Sequence, residues 1–82
     1  MAPRLRRLSA RDVLGILGRF GFEVVATRGS HAKVRRAAAD GQAQVLTLPL
    51  HKDLDVGTIR AIYRQAARFV PESELRPWFY GD

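Results

Sequence analysis

Between positions 8 and 20 the apolar residues recur at intervals of three and four, and Val13, Leu14, Leu17 and Phe20 fall on one side of a helical projection. That spacing predicts a helix over residues 10–20. Ser9 stands three positions before Asp12, as in a capping box, and Leu8 and Val13 flank the cap as a hydrophobic staple. Gly21 supplies a left-handed stop. Gly15 and Gly18 weaken the helix by about 1 kcal/mol each relative to Ala, so packing has to hold it. At Phe22 the period shortens to two: Phe22, Val24 and Ala26 alternate with Glu23, Val25 and Thr27, which predicts a strand through Arg28. Gly29-Ser30 turns the chain into a second strand over 31–38, and Asp40-Gly41 is a hairpin signal before a third over 42–48. Pro49 has no N–H to give a ladder and stops it.

Helical spacing returns after Asp55, a good N-cap, in the stripe Val56, Ile59, Ile62, Tyr63, Ala66 and Phe69, and Pro71 ends that second helix. The tail from Glu72 to Asp82 holds Leu75, Trp78, Phe79 and Tyr80, too apolar for a free coil. It either packs against the domain or awaits a partner. The predicted order is helix, three-stranded antiparallel meander, helix (α-β-β-β-α). This is an α+β fold in which both helices cover one face of the sheet and leave the other open. We expect a single domain over residues 1–82, with no internal repeat and no room for a cleft between two domains. At this size only about 60–65% of the unfolded surface is buried, so a partner or a homodimer is a natural supplement to a thin core.

Charge changes the picture. The chain carries 14 Lys and Arg against 8 Asp and Glu, a net +6, and residues 1–36 hold nine of the cations but only Asp12 and Glu23. Twelve of the cations are Arg, whose planar fork matches phosphate and stacks on bases, so a polyanion is the natural partner. Solubility or genome composition would explain the count equally well, and position has to decide. The absence of cysteine excludes a disulfide framework, a thiolate zinc site and a cysteine nucleophile, and permits a reducing compartment. His31 and His51 lie far apart in sequence, and only His51 has carboxylates nearby, Asp53 and Asp55, so we expect no metal and no cofactor. No apolar run approaches the ~18 residues of a membrane span. A soluble, cytoplasmic protein with no membrane partner is expected. The Arg-rich opening superficially suits an organelle transit peptide, but the same segment carries proper helix signals.

Alternation along the second strand puts His31, Lys33 and Arg35 on one face, with Ala32, Val34 and Arg36 on the other. Ala32 and Val34 belong on the helix-covered side, so His31 projects with two cations onto the open face, directly after Arg28-Gly29-Ser30. An imidazole that titrates near pH 6.5 among phosphate-binding cations is what RNA cleavage without a metal requires. The same placement suits a histidine that only hydrogen-bonds a phosphate, or one that does nothing. His51, at the mouth of the loop into the second helix, is a second acid or base or a structural hydrogen-bonder. Gly57-Thr58 leaves amides and a hydroxyl at a helix N-terminus, an anion site if capping does not consume them.

Three motifs stand in order: Arg28-Gly29-Ser30-His31-x-Lys33, then Leu48-Pro49-x-His51, then Val56-Gly57-Thr58-Ile59-x-x-Ile62-x-x-Gln65-Ala66. Together they resemble the HicA family of toxins from toxin–antitoxin pairs, over roughly residues 9–67. The resemblance implies a fold similar to double-stranded RNA-binding domains. It also implies a ribonuclease that cleaves mRNA and arrests translation, restrained by a HicB-type antitoxin in a hetero-oligomer. It gives the catalytic role to His31. Arg28, Gly29, Lys33 and Arg35 would then bind RNA, with Ser30 and Thr58 as lesser contacts. Two departures stand out: Val34 occupies a position often aromatic in the family, and Arg68 to Asp82 extends the chain beyond the second helix. The extension is suited to covering the open face, lengthening the core or touching an antitoxin. Two other functions fit the residues, a non-catalytic RNA-binding module on the same basic face and an interaction domain whose toxin activity has decayed.

Overall fold

The computed structural model describes residues 3–81, so Met1, Ala2 and Asp82 of the predicted opening and tail lie outside the described residues. Ser9 caps the first helix, α1 (Ala10–Arg19), as its spacing predicts. Its hydroxyl accepts from the Asp12 N–H at 3.0 Å and the Asp12 carboxylate accepts from the Ser9 N–H at 3.0 Å, so the shorter acid closes the box. Gly21, at φ 91°, reverses the chain, and the Phe22 N–H returns to the Leu17 carbonyl at 3.1 Å. The buried side of α1 is Ala10, Val13, Ile16 and Leu17; Ile16 joins the expected stripe, and Leu14 and Phe20 are only half-buried.

Three antiparallel strands follow, β2 (Glu23–Arg28), β3 (His31–Ala37) and β4 (Ala43–Pro49), with β3 in the middle. Gly29, at φ 57°, makes the first turn, and Asp40-Gly41 the second, where the Asp40 carboxylate accepts from the Gln42 N–H. Ala32 and Val34 of β3 and Leu48 and Leu46 opposite them are buried, and Val34, Leu46 and Leu48 pack with Val13 and Leu17 of α1 and Ile59 and Ile62 of the second helix. Both helices therefore lie on one face. His31, Lys33 and Arg35, with Val45 and Thr47 opposite, stay exposed on the other. β4 runs one residue past the predicted end, because Pro49 closes an edge strand opposite His31 where no donor is needed.

The regular alternation expected in β2 is corrected by the structure. A bulge falls between Val24 and Ala26, so Val24 faces Val34 while Ala26 faces Lys33. Ala26 therefore does not share the face of Val24, as regular alternation had it, but lies with Lys33 on the open side, and Thr27 lies with Ala32 on the other. β2 is exposed along its whole length, Val24 and Val25 each at 51%, because it is an edge that the helix layer does not reach.

The second helix, α2 (Val56–Ala67), starts at Asp55 as expected and buries Ile59, Ile62, Tyr63 and Ala66. It ends earlier than Pro71, and Val56 is exposed rather than part of the stripe. The tail forms a third helix, α3 (Glu72–Phe79), then β5 (Tyr80–Gly81), which pairs with β1 (Arg4–Leu5) in a short antiparallel ribbon. Leu75 and Phe79 are fully buried, and Tyr63 meets Phe79 and Tyr80 edge-on, each at 5.3 Å between ring centres. The extension lengthens the core, the second of the three roles open to it. Among the described residues no helix is long and apolar enough to cross a membrane.

Candidate functional site

The bulge in β2 decides what surrounds His31. Phe22 is buried in the core, and with unbroken alternation Arg28, six residues on, would share its face. The extra residue reverses that parity. Arg28 then pairs with His31 and Ala26 with Lys33 on the open side. The result is a shallow depression of about 470 Å³ lined by Arg28, His31 and Lys33, with Ala26, Ala32 and Thr47 completing it. The small side chain of Ala26, on the same face, leaves space beside the three polar side chains. Arg35 shares the face but pairs with Glu23 at the far end, outside this lining.

Gly29 and Ser30 form the turn beside the depression, and the Ser30 carbonyl accepts from the Leu50 N–H at 2.6 Å. That bond ties the His31 turn to the loop carrying His51. The two imidazoles still do not share a cavity. His51 lines a separate depression against Ser9, Arg11 and Leu14 of the first helix, and its carbonyl accepts from the Ala10 N–H at 3.1 Å. Thr58 does not line the His31 depression either. Its N–H donates to the Asp55 carboxylate at 2.8 Å, so the first-turn amide expected to be available to an anion is taken by the cap. The Thr58 N–H and then its hydroxyl hold the Asp55 carboxyl below the usual range, with nearby His51 adding a smaller effect.

Arg36 faces away from His31, as alternation requires. Its guanidinium donates to Gln44 Oε1 at 2.6 Å and to the carbonyls of Phe20 at 2.7 Å and Phe69 at 2.8 Å, and lies 5.0 Å from the centre of the Phe22 ring. One of the cations counted toward a polyanion is thus a structural clamp. Ala26 and Thr47 are the lining residues that sequence reasoning missed. They become visible only when the cross-strand register is known, since Thr47 faces Lys33 from a strand fourteen residues on. Among the described residues no group of three His, Asp or Glu side chains converges to hold a metal.

A family model described as the HicA toxin of bacterial toxin–antitoxin systems matches residues 10–67, more than half of the sequence. The chain belongs to the HicA toxin family. It is therefore the toxin of a toxin–antitoxin pair, with an antitoxin as partner. No curated protein and no solved structure matches it. The HicA segment runs from the first residue of α1 to the last of α2 and contains the Gly29-Ser30-His31 turn, the β2 bulge and both histidines. The β1–β5 ribbon and α3 lie outside it.

Proposed function

We propose that this HicA toxin is a metal-independent endoribonuclease that cleaves mRNA and so arrests translation, with His31 as general acid or base. The observation that carries the reading is the convergence of Arg28, His31 and Lys33 on one open depression. Strand cleavage needs the ribose 2′-hydroxyl to lose its proton as its oxygen attacks the neighbouring phosphorus, while the bond from phosphorus to the 5′-oxygen breaks and that oxygen gains a proton. A neutral imidazole serves the first transfer and an imidazolium the second. Arg28 and Lys33 stabilise the charge that builds on the phosphoryl oxygens, and Gly29, Ser30, Arg35 and Thr58 are the further RNA contacts of this reading. The complementary proton transfer falls to water or to His51. His51→Gln with unchanged cleavage removes His51 from the mechanism. The antitoxin is a HicB-type protein that forms a hetero-oligomer with the toxin, and the pair works in the cytoplasm on a domain that resembles double-stranded RNA-binding folds.

The test is cleavage of a long single-stranded RNA in EDTA, wild type beside His31→Ala. Loss of a general acid or base costs about 10²–10⁴-fold, and the expected products carry 2′,3′-cyclic phosphate and 5′-hydroxyl ends. Intact RNA with folded wild type sinks the nuclease reading. One observation favours a non-catalytic RNA-binding module instead: the lining around His31 holds no second imidazole and no carboxylate. Under that alternative His31→Ala loses RNA binding and toxicity together. Cleavage lost with binding retained decides for the nuclease.

A further inference from the structure

A second basic surface lies on the helix layer, away from the open sheet face. Arg6, Arg7, Arg11 and Arg19 line a groove of about 480 Å³ together with Gly15 and Trp78. Arg6 is fixed there: its backbone N–H donates to the Phe79 carbonyl at 2.7 Å and its guanidinium to the Trp78 carbonyl at 3.1 Å. Arg19 stacks on the Trp78 ring, 4.4 Å from its centre. Arg7 and Arg11 are exposed. Asp12 is the acidic residue in the lining, and its carboxylate is engaged by the Ser9 N–H. Four guanidinium groups are thus set around one carboxylate already in use.

The floor of the groove points outward in the same way. Arg11, Gly15 and Arg19 follow one another at four-residue spacing along α1, which places the Cα atoms of the two arginines about 12 Å apart with a glycine between them. A Cβ at Gly15 or Gly18 would meet nothing within 4 Å, so packing inside the molecule does not ask for glycine at either place. Glycine in a helix interior is unfavourable against alanine. At Gly15 the missing side chain leaves the floor of the groove open.

We propose that this groove is an accessory binding site for the phosphate backbone of single-stranded RNA, gripping the strand where it continues beyond the His31 face. The proposal rests on the reading of the chain as an RNA-cleaving protein. Arginine forks suit phosphate oxygens, and a glycine floor between two of them admits a sugar-phosphate chain close to the helix. The molecule is 17 Å across its thinnest axis. At about 3.4 Å per stacked nucleotide the thickness alone takes about five nucleotides, so a strand of about twenty is long enough to pass from one face round to the other and one of about five is not. Arg6, Arg7 and Trp78 lie outside the family-matched segment, so the groove is made by what this chain adds to it.

The test measures binding of uncleavable 2′-O-methyl RNA against salt concentration, with one strand of roughly twenty nucleotides and one of about five. The double variant Arg7→Gln/Arg11→Gln is expected to bind the long strand about tenfold more weakly, with a log–log salt slope smaller by about 1.4, and the short strand as wild type does. Gly15→Gln is expected to melt at a higher temperature and yet bind the long strand more weakly, a combination misfolding cannot produce. Unchanged long-strand affinity and slope in both variants overturns the proposal and leaves an acidic segment of the antitoxin as the groove's occupant. Equal losses on both lengths overturn it as well. Lys33→Gln/Arg35→Gln separates the two readings: if it leaves short-strand binding intact the sheet-face assignment fails, while a long-strand loss in the groove variants still supports the groove. Wild type that binds neither strand ends both.

Discussion

Arg36 donates to Gln44, Phe20 and Phe69, partners 8, 16 and 33 positions away, and so joins the end of α1, the sheet and the end of α2. Hydrogen bonds from a charged donor are the stronger kind, and removing one partner strands the carbonyls left behind. Arg36→Ala is expected to destabilise the fold by about 2–3 kcal/mol in urea unfolding. Arg35→Ala, on the open face, should stay within about 0.5 kcal/mol of wild type and yet reduce RNA cleavage per folded molecule more than Arg36→Ala does. Alternation along β3 made the two arginines' opposite faces legible in the sequence. The clamp itself was not, because its acceptors are backbone carbonyls that only tertiary folding brings together. Tyr63 was legible as a core residue, but not the state of its hydroxyl, which is buried without a hydrogen-bond partner beside Glu72 and Arg76. Burial first, and then the Glu72 carboxylate, push its pKa above the usual 10.0. The folded state therefore holds the proton more tightly than the unfolded chain does. The linked stability is complete below pH 10 and drains away as pH rises through the folded value. Tyr63→Phe is expected to flatten that alkaline decline in pH-dependent melting, at no cost near neutrality.

Among the elements, β2 separates what pattern can and cannot give. Its existence, length and turn were readable from the β-branched run and Gly29, and the helix starts from Ser9 and Asp55. The bulge was not, since a strict two-residue period has no place for an extra residue and only the core demand of Phe22 set against the turn-fixed pairing of Arg28 with His31 forces one. Deleting Val25 should resolve the bulge without disturbing either anchor, because Phe22 and Arg28 then fall on opposite faces of a regular strand. The expected outcome is retained cleavage with greater self-association in light scattering, as a straight, exposed edge is a better template for another strand. Lost cleavage would mean that the depression depends on the local twist the bulge adds. The α2 N-terminus is the element where pattern misled: Gly57-Thr58 reads as an anion site until the Asp55 carboxylate is seen on the Thr58 amide.

At the scale of the molecule, the family segment does not close its own core. Tyr63 and Ile62 of α2 are covered with the help of Leu75 and Phe79, residues beyond position 67 that are themselves fully buried. Phe79→Ala is expected to lower stability by about 3–5 kcal/mol, a large share of what a domain of this size possesses; a loss under about 1 kcal/mol in urea unfolding would show that α3 is an appendage. The apolar content of the tail foretold burial, and its destination was hidden because nothing local in Leu75 to Tyr80 points to the N-terminal strand. That ribbon pairs Leu5 with Tyr80 and Arg4 with Gly81, near the two ends of the sequence. Proteins are made in one direction, and the first strand of the ribbon emerges from the ribosome almost a whole chain before the second. The ribbon, and the part of the core made by Leu75 and Phe79, can therefore close only once the chain is out as far as Gly81, which makes them the latest-available part of the fold.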